Sequence, residues 1–321
     1  MSLLRQGVRA PKFRRVSNLG RTEIDGHQIY HRKGDTLYVD ASAASGGDGK
    51  TWDSAFNTMQ AAFDVLVGGE TIYFAGKVVE QLVTPVQIFD VTVVGAGNRP
   101  RHADSTPSGG NTYASQWAPP ASGAVSGQAT VRVLQQGWRF ENILFTMESS
   151  TAAGIELVRN AASGNSERDA SHAHIVGCKF AGAGVGIRFG ATSFTEIVNH
   201  AVIEENEFLQ NTYGMRGTIQ AQNCTVRKNL FRDSTNALIV PFGSTFIYEN
   251  VVNGFTAAGN SGGVDLTGGQ GLNVISKNIL GGTYSNAGGY VRANANDIWF
   301  GNFTSVTSGT DLASINVADP A

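Results

Sequence analysis

The chain is 321 residues long with a formal net charge of −2, and is 41% hydrophobic but only 16% charged, against about 25% charged in a typical soluble domain. That balance excludes a disordered chain and an ordinary charged helical protein. Its 40 Gly and 23 Asn show no Gly-X-Y period, which excludes collagen. No apolar run approaches the roughly 20 residues of a membrane helix, so a turn-rich β fold remains and no membrane is expected as a partner.

The charge is unevenly spread. Residues 1–33 hold eight basic residues (Arg5, Arg9, Lys12, Arg14, Arg15, Arg21, Arg32 and Lys33) against Glu23 and Asp25, a net of +6. The other 288 residues carry 16 basic and 24 acidic side chains, a net of −8. Residues 1–36 therefore read as a basic arm. Leu3, Leu4, Val8 and Phe13 interleave apolar groups that suit docking on an acidic partner better than a plain linker. No apolar stretch of the signal-peptide kind follows these charges.

Residues 37–70 form the next unit. Asp53 or Ser54 opens a helical pattern, with Phe56, Met59, Phe63 and Leu66 at helix-like spacing and Gly68-Gly69 as the stop. From 71 onward strand-like runs appear at 71–74, 91–94 and 130–134. The last two flank a Gly/Pro/Ser-rich stretch, 95–128, too long for a plain connection and read as a functional loop.

Self-similarity begins at Trp138. The repeated piece is an apolar residue, a few variable positions, then Asn and an apolar residue. It places Asn142, Asn206, Asn229, Asn250, Asn278 and Asn302 in one register, broken once by Cys178. A second strand follows each piece, as in Gly154-Ile-Glu-Leu and Gly186-Ile-Arg-Phe. Intervals of 21–36 residues without an intervening helix predict coils stacked as a parallel β-helix. Stacked Asn amides would bond their neighbours and the turn backbone. Cys178 and Cys224 give neither a disulfide framework nor a metal pattern and read as buried small residues. A solenoid end needs covering: the helix would cover the first coil, and the tail 311–321 or another subunit the last.

Tyr38-Val-Asp-Ala-Ser, Gly46-Gly-Asp-Gly, Trp52-Asp-Ser-Ala-Phe and Gly69-Glu-Thr-Ile-Tyr-Phe, followed by the repeats, resemble the start of right-handed parallel β-helix proteins of the pectate-lyase-like superfamily. The resemblance spans about 38–310. It implies an all-β, right-handed parallel β-helix of about eight to nine coils, residues 71–321, with an N-terminal capping helix and an extended arm. The superfamily holds polysaccharide lyases, glycoside hydrolases, bacteriophage tailspikes and non-catalytic virion proteins, so fold leaves activity open.

Candidate residues lie on the outward row of the second strands, which reads Glu156, Arg188, Arg216, Ile239, Asp265, Val291. It reads first as an inter-coil salt bridge and second as a glycan-binding stripe. A glycosidase needs two carboxyls about 5–9.5 Å apart, and this row pairs none. Tyr113 and Trp117 in the 95–128 loop could stack on sugar rings or pack the loop down. His172, His200 and Asn223 stack in successive coils but form no metal motif, so no metal site is expected. No cofactor is expected either; Ca²⁺ enters only under a lyase reading.

The favoured function is a non-catalytic structural protein of a bacteriophage virion, a decoration or tail component. The arm, through residues such as Arg9, Lys12, Arg14 and Arg15, would contact other virion or surface proteins in a homo-oligomer, a trimer above all, with polysaccharide as a further ligand. The alternative is a secreted or cell-surface polysaccharide lyase or glycoside hydrolase.

Overall fold

In a computed structural model, the residues described are 35–97, 115–121, 127–147, 149, 151–159, 169–190, 197–254, 262–282, 290–291 and 293–305. Backbone alone is described at 14–16, 21–24, 27–30 and 315–316. Three parallel sheets run the length of the body, each taking one strand per coil. The first runs from Thr36–Asp40 to Ile298–Phe300, the second from Lys77–Val79 to Phe303–Ser305, and the third from Leu82–Val83 to Tyr290–Val291. From Thr71 the chain visits them in the order first, second, third, eight times, then adds one more strand to the first and second. This is a parallel β-helix, right-handed as parallel crossovers are. Ile315–Asn316 pairs antiparallel with the last strand of the second sheet. In the arm, Arg14–Val16, Arg21–Ile24 and His27–Tyr30 form a three-stranded antiparallel sheet.

Three-residue strands are possible because each corner is made by one residue with left-handed backbone. At the corner from first to second sheet these are Asn142, Gly177, Glu205, Lys228, Glu249, Lys277 and Gly301, with φ of 54–62°. The next residue points inward and bonds along the solenoid. Asn206, Asn229, Asn250, Asn278 and Asn302 form this ladder. Each Oδ1 accepts the backbone N–H of the preceding coil's residue at 2.9–3.0 Å, and each Nδ2 donates to the carbonyl of the central residue of the preceding coil's first-sheet strand.

Asn142 does not belong to the ladder. Phe140 pairs with Ile175 and Glu141 with Val176, so Ile143 stands opposite Cys178 and Asn142 opposite Gly177. Asn142 takes the left-handed corner (φ 56°), a conformation Asn tolerates, and its Nδ2 donates to the carbonyls of Gly95 and Gly97. From Glu205 to Lys277 this corner row alternates Glu and Lys.

The interior is a column of rings. Phe145, Phe180, Phe208 and Phe231 stack at 4.6–5.1 Å and within 8° of parallel. Gly154, Gly186 and Gly214 in the third sheet back onto it. A Cβ on Gly186 would lie 2.5 Å from both Phe208 Cδ1 and the Gly214 carbonyl. The expected helix is shorter than its apolar spacing suggested. Phe56 bridges Val39, and its backbone bonds Tyr38 and Asp40, so the chain is extended there. The helix runs only over Met59–Asp64, with Thr58 as N-cap and Glu80 Oε1 and Oε2 accepting from Met59 and Gln60 N–H. Its Phe63 meets Trp138 at 5.3 Å and Trp117 at 6.2 Å.

Trp117 is therefore not a loop aromatic. Gln116–Ala118 is a strand of the second sheet, paired with Lys77–Val79 and Leu144–Thr146. The indole is fully buried and donates its N–H to the Glu80 carbonyl at 3.0 Å. It cannot stack on a sugar. Tyr113 lies outside the described residues.

Candidate functional site

The outward row of the third sheet has the register expected of it, Glu156–Arg188–Arg216–Ile239–Asp265–Val291. It extends one coil earlier to Arg132, which pairs with Glu156. Arg132 escaped the sequence reading because its strand precedes the repeats that begin at Trp138 and lacks a leading Gly.

Glu156 points outward yet is fully buried. Arg132 Nε donates to its Oε2 at 2.5 Å and Arg188 Nη1 to its Oε1 at 3.1 Å. Arg188 also reaches the Gly127 and Thr151 carbonyls. Both carboxylate oxygens are thus engaged, which removes Glu156 from acid–base work and from ligand contact. Losing one guanidinium would leave a buried charge, the costly case for such clusters. Asp265 is half-buried and its Oδ1 accepts the Thr267 N–H at 2.9 Å. Four strand spacings separate it from Glu156, about 19 Å at the usual inter-strand distance. That exceeds the span of a glycosidase pair.

Arg216 is different. It is exposed, and its guanidinium lies 4.5 Å from the centroid of the Tyr213 ring. A cation over an aromatic face is held in place while its edge stays open to a ligand. The row therefore divides into a closed Arg132–Glu156–Arg188 cluster and one presented cation.

The outer face of the first sheet carries a second polar network. Arg139 donates to Glu141 Oε1 at 2.6 Å and contacts His174 Nδ1 at 2.6 Å; His174 Nε2 lies 2.8 Å from Glu204 Oε1. Glu204 Oε2 accepts from Arg227 Nε at 2.5 Å, and Arg227 Nη1 donates to the Tyr248 hydroxyl at 3.0 Å. Burial works against the Glu204 carboxylate, but the bonds from His174 and Arg227 outweigh it and hold its pKa below the ordinary value. Every polar atom named here already has a partner.

His172 and His200 do stack, with centroids 4.8 Å apart and planes within 2°. They occupy left-handed corners with φ of 61° and 58°. Cys178 and Cys224 are free and buried, and burial pushes both thiols up to about 12. Among the described residues no three His, Cys, Asp or Glu side chains come together as a metal cluster. No helix among them is long and apolar enough to cross a membrane. The side chains of Arg5, Arg9, Lys12, Arg14, Arg15 and Arg21 lie outside the described residues.

Residues 123–311 match the family described as periplasmic copper-binding protein (NosD). No curated protein matches the chain. Among solved structures, the deglycosylated pectin methylesterase of Aspergillus niger is similar at 15% identity and a TM-score of 0.50, over 89% of this chain and 91% of that one. A pectin methylesterase of Erwinia chrysanthemi aligns at 10% identity and 0.36, over 88% and 84%. A pectate lyase, Pel9A, aligns at 13% and 0.31, over 84% and 74%.

Proposed function

The chain belongs to the NosD family, whose profile covers more than half of it, and from that premise we propose a non-catalytic β-helix working outside the cytoplasm, which binds an acidic polysaccharide on its third sheet. The family's description as periplasmic supports the location. One observation carries the binding role: Arg216 is presented on Tyr213, while Glu156, two strands away in the same row, is locked between two guanidiniums. A face with an open cation and no free carboxylate pair suits recognition of an anionic polymer better than its cleavage.

Copper does not fit the described residues. The imidazole planes of His172 and His200 are parallel, so their in-plane nitrogens do not converge on one ion. Both nitrogens of His174 are engaged. Metal ligation needs a thiolate, and burial disfavours it at Cys178 and Cys224.

Polygalacturonate is the probe for the reading. We expect retention on a polygalacturonate gel at low salt, weakening as salt rises, and a loss of about tenfold in affinity for Arg216→Ala. New unsaturated or reducing ends would overturn the non-catalytic reading. Equal retention of Arg216→Ala would overturn the site.

In a narrower form the protein is a homotrimeric virion component anchored by its arm; the opposed charges of residues 1–33 (+6) and the rest (−8) support the docking of the arm.

A further inference from the structure

A second surface is built on the opposite kind of chemistry. Tyr38 and Tyr73 pair directly in the first two strands of the first sheet and point outward, between inward Leu37, Val39, Ile72 and Phe74. Their rings stack at 6.2 Å and 23°. Trp52, in the connection after the first strand, lies 4.9 Å from Tyr38 at 58°. Trp52 is 41% exposed and Tyr73 37%. Of the four Trp in the chain, Trp117 and Trp138 are fully buried and Trp299 is 7% exposed. Trp52 is therefore the single solvent-facing indole.

The segment carrying Trp52 is fastened to the strand carrying Tyr38. Tyr38 N–H donates to the Gly49 carbonyl at 2.8 Å, and Phe56 N–H to the Tyr38 carbonyl at 2.9 Å. Gly49 N–H bonds the Ser54 carbonyl, and the Ser54 hydroxyl donates to Asp48 Oδ1 at 2.6 Å. Thr51 Oγ1 accepts the Ser54 N–H. The three rings are thus ordered without a ligand, which lowers the entropic cost of binding. Beside them, Thr36, Thr71 and Thr92 face the same way in register and offer a row of hydroxyls.

Ligand class follows from geometry and charge. Tyr38 lies against both other rings, within 23° of Tyr73 and at 58° to Trp52, leaving an open aromatic surface rather than a cage, so the apolar face of a ring suits it and an enclosed cation does not. Within residues 35–53, Asp35, Asp40, Asp48 and Asp53 outnumber Lys50, which disfavours an anionic polymer. Strands repeat every 4.8 Å or so, close to the length of one hexose in an extended chain. We propose that Trp52, Tyr38 and Tyr73 form a binding platform for a neutral glycan of equatorially linked hexopyranoses, distinct from the Arg216 face.

The test uses the full chain and cellohexaose. Trp52 emission should be protected from acrylamide quenching as cellohexaose is added, with hexagalacturonate and choline giving no protection. Tyr73→Thr, which keeps a strand-forming residue at an exposed position, should weaken protection about tenfold, with the circular dichroism spectrum unchanged. Trp52→Ala should abolish retention in a cellulose-derived affinity gel. Arg216→Ala should leave both readouts untouched, so failure of the acidic-polysaccharide face and failure of this platform are told apart. No protection up to the solubility limit of cellohexaose would overturn the proposal. So would protection by choline or by hexagalacturonate, or protection that survives Tyr73→Thr.

Discussion

Asn229 shows how much one buried amide does in this molecule. Its Oδ1 accepts from the backbone and side chain of Asn206, both at 3.0 Å; its Nδ2 donates to Ile203 O at 2.9 Å and to Asn250 Oδ1 at 3.0 Å. Asn229→Ala would leave the Ile203 carbonyl and the Asn206 donors unpaired in a dry corner, costing about 2–3 kcal/mol. Asn229→Asp should cost more, because a carboxylate oxygen would face two acceptors. Lys228→Asn, one residue away at φ 55°, should be neutral or stabilising, since Asn tolerates that backbone better. Urea midpoints of the three variants check the order; equal midpoints would rule out the ladder account. The ladder was legible because the amides recur in register. Asn142 was misplaced by one residue because Asn suits both the corner and the ladder, and only strand pairing distinguishes them.

At the scale of elements, glycine and ring are matched across sheets. Gly154, Gly186 and Gly214 face Phe180, Phe208 and Phe231; the next position in the third sheet is Ala237, where the column in the second sheet has narrowed to Val252. Gly186→Ala should therefore overpack the column, at about 1–3 kcal/mol, seen as a lower thermal midpoint. An unchanged midpoint would mean that the rings can shift, and that the glycine row serves something else. A second corner repeats the ladder logic with mixed residues. Cys224 N–H donates to Thr245 Oγ1, Thr245 N–H to Asn273 Oδ1, and Asn273 N–H to Asp297 Oδ1, at 3.0–3.2 Å. Its spacings of 28 and 24 residues equal those of Asn250, Asn278 and Asn302. Period alone could have revealed it, although residue type hid it. The late start of the helix and the strand at Gln116–Ala118 were not legible, because extended backbone at Phe56 and pairing at Trp117 come from distant partners.

Over the whole molecule, strand pairing joins each coil only to its neighbours, so stability is close to a sum of interfaces. The Glu141–Arg139–His174–Glu204–Arg227–Tyr248 network ties five successive strands of the first sheet. Glu204 has a folded pKa below its ordinary 4.5. A depressed carboxylate contributes stability above the unfolded pKa and loses it as pH falls through the folded one. Stability should therefore decline below about pH 4.5, and Glu204→Gln should remove part of that decline. Parallel acid limbs in chemical denaturation would show that Glu204 does not carry it. Composition, the 21–36-residue period and the alternation of inward apolar residues determined the solenoid, because stacking identical corners is the only way such short strands can bury one face. Tertiary structure alone decided which outward groups are available. Glu156 is closed off by partners from other coils, while Arg216, Trp52 and Tyr73 remain open, and exposure depends on neighbours that lie far away in the chain.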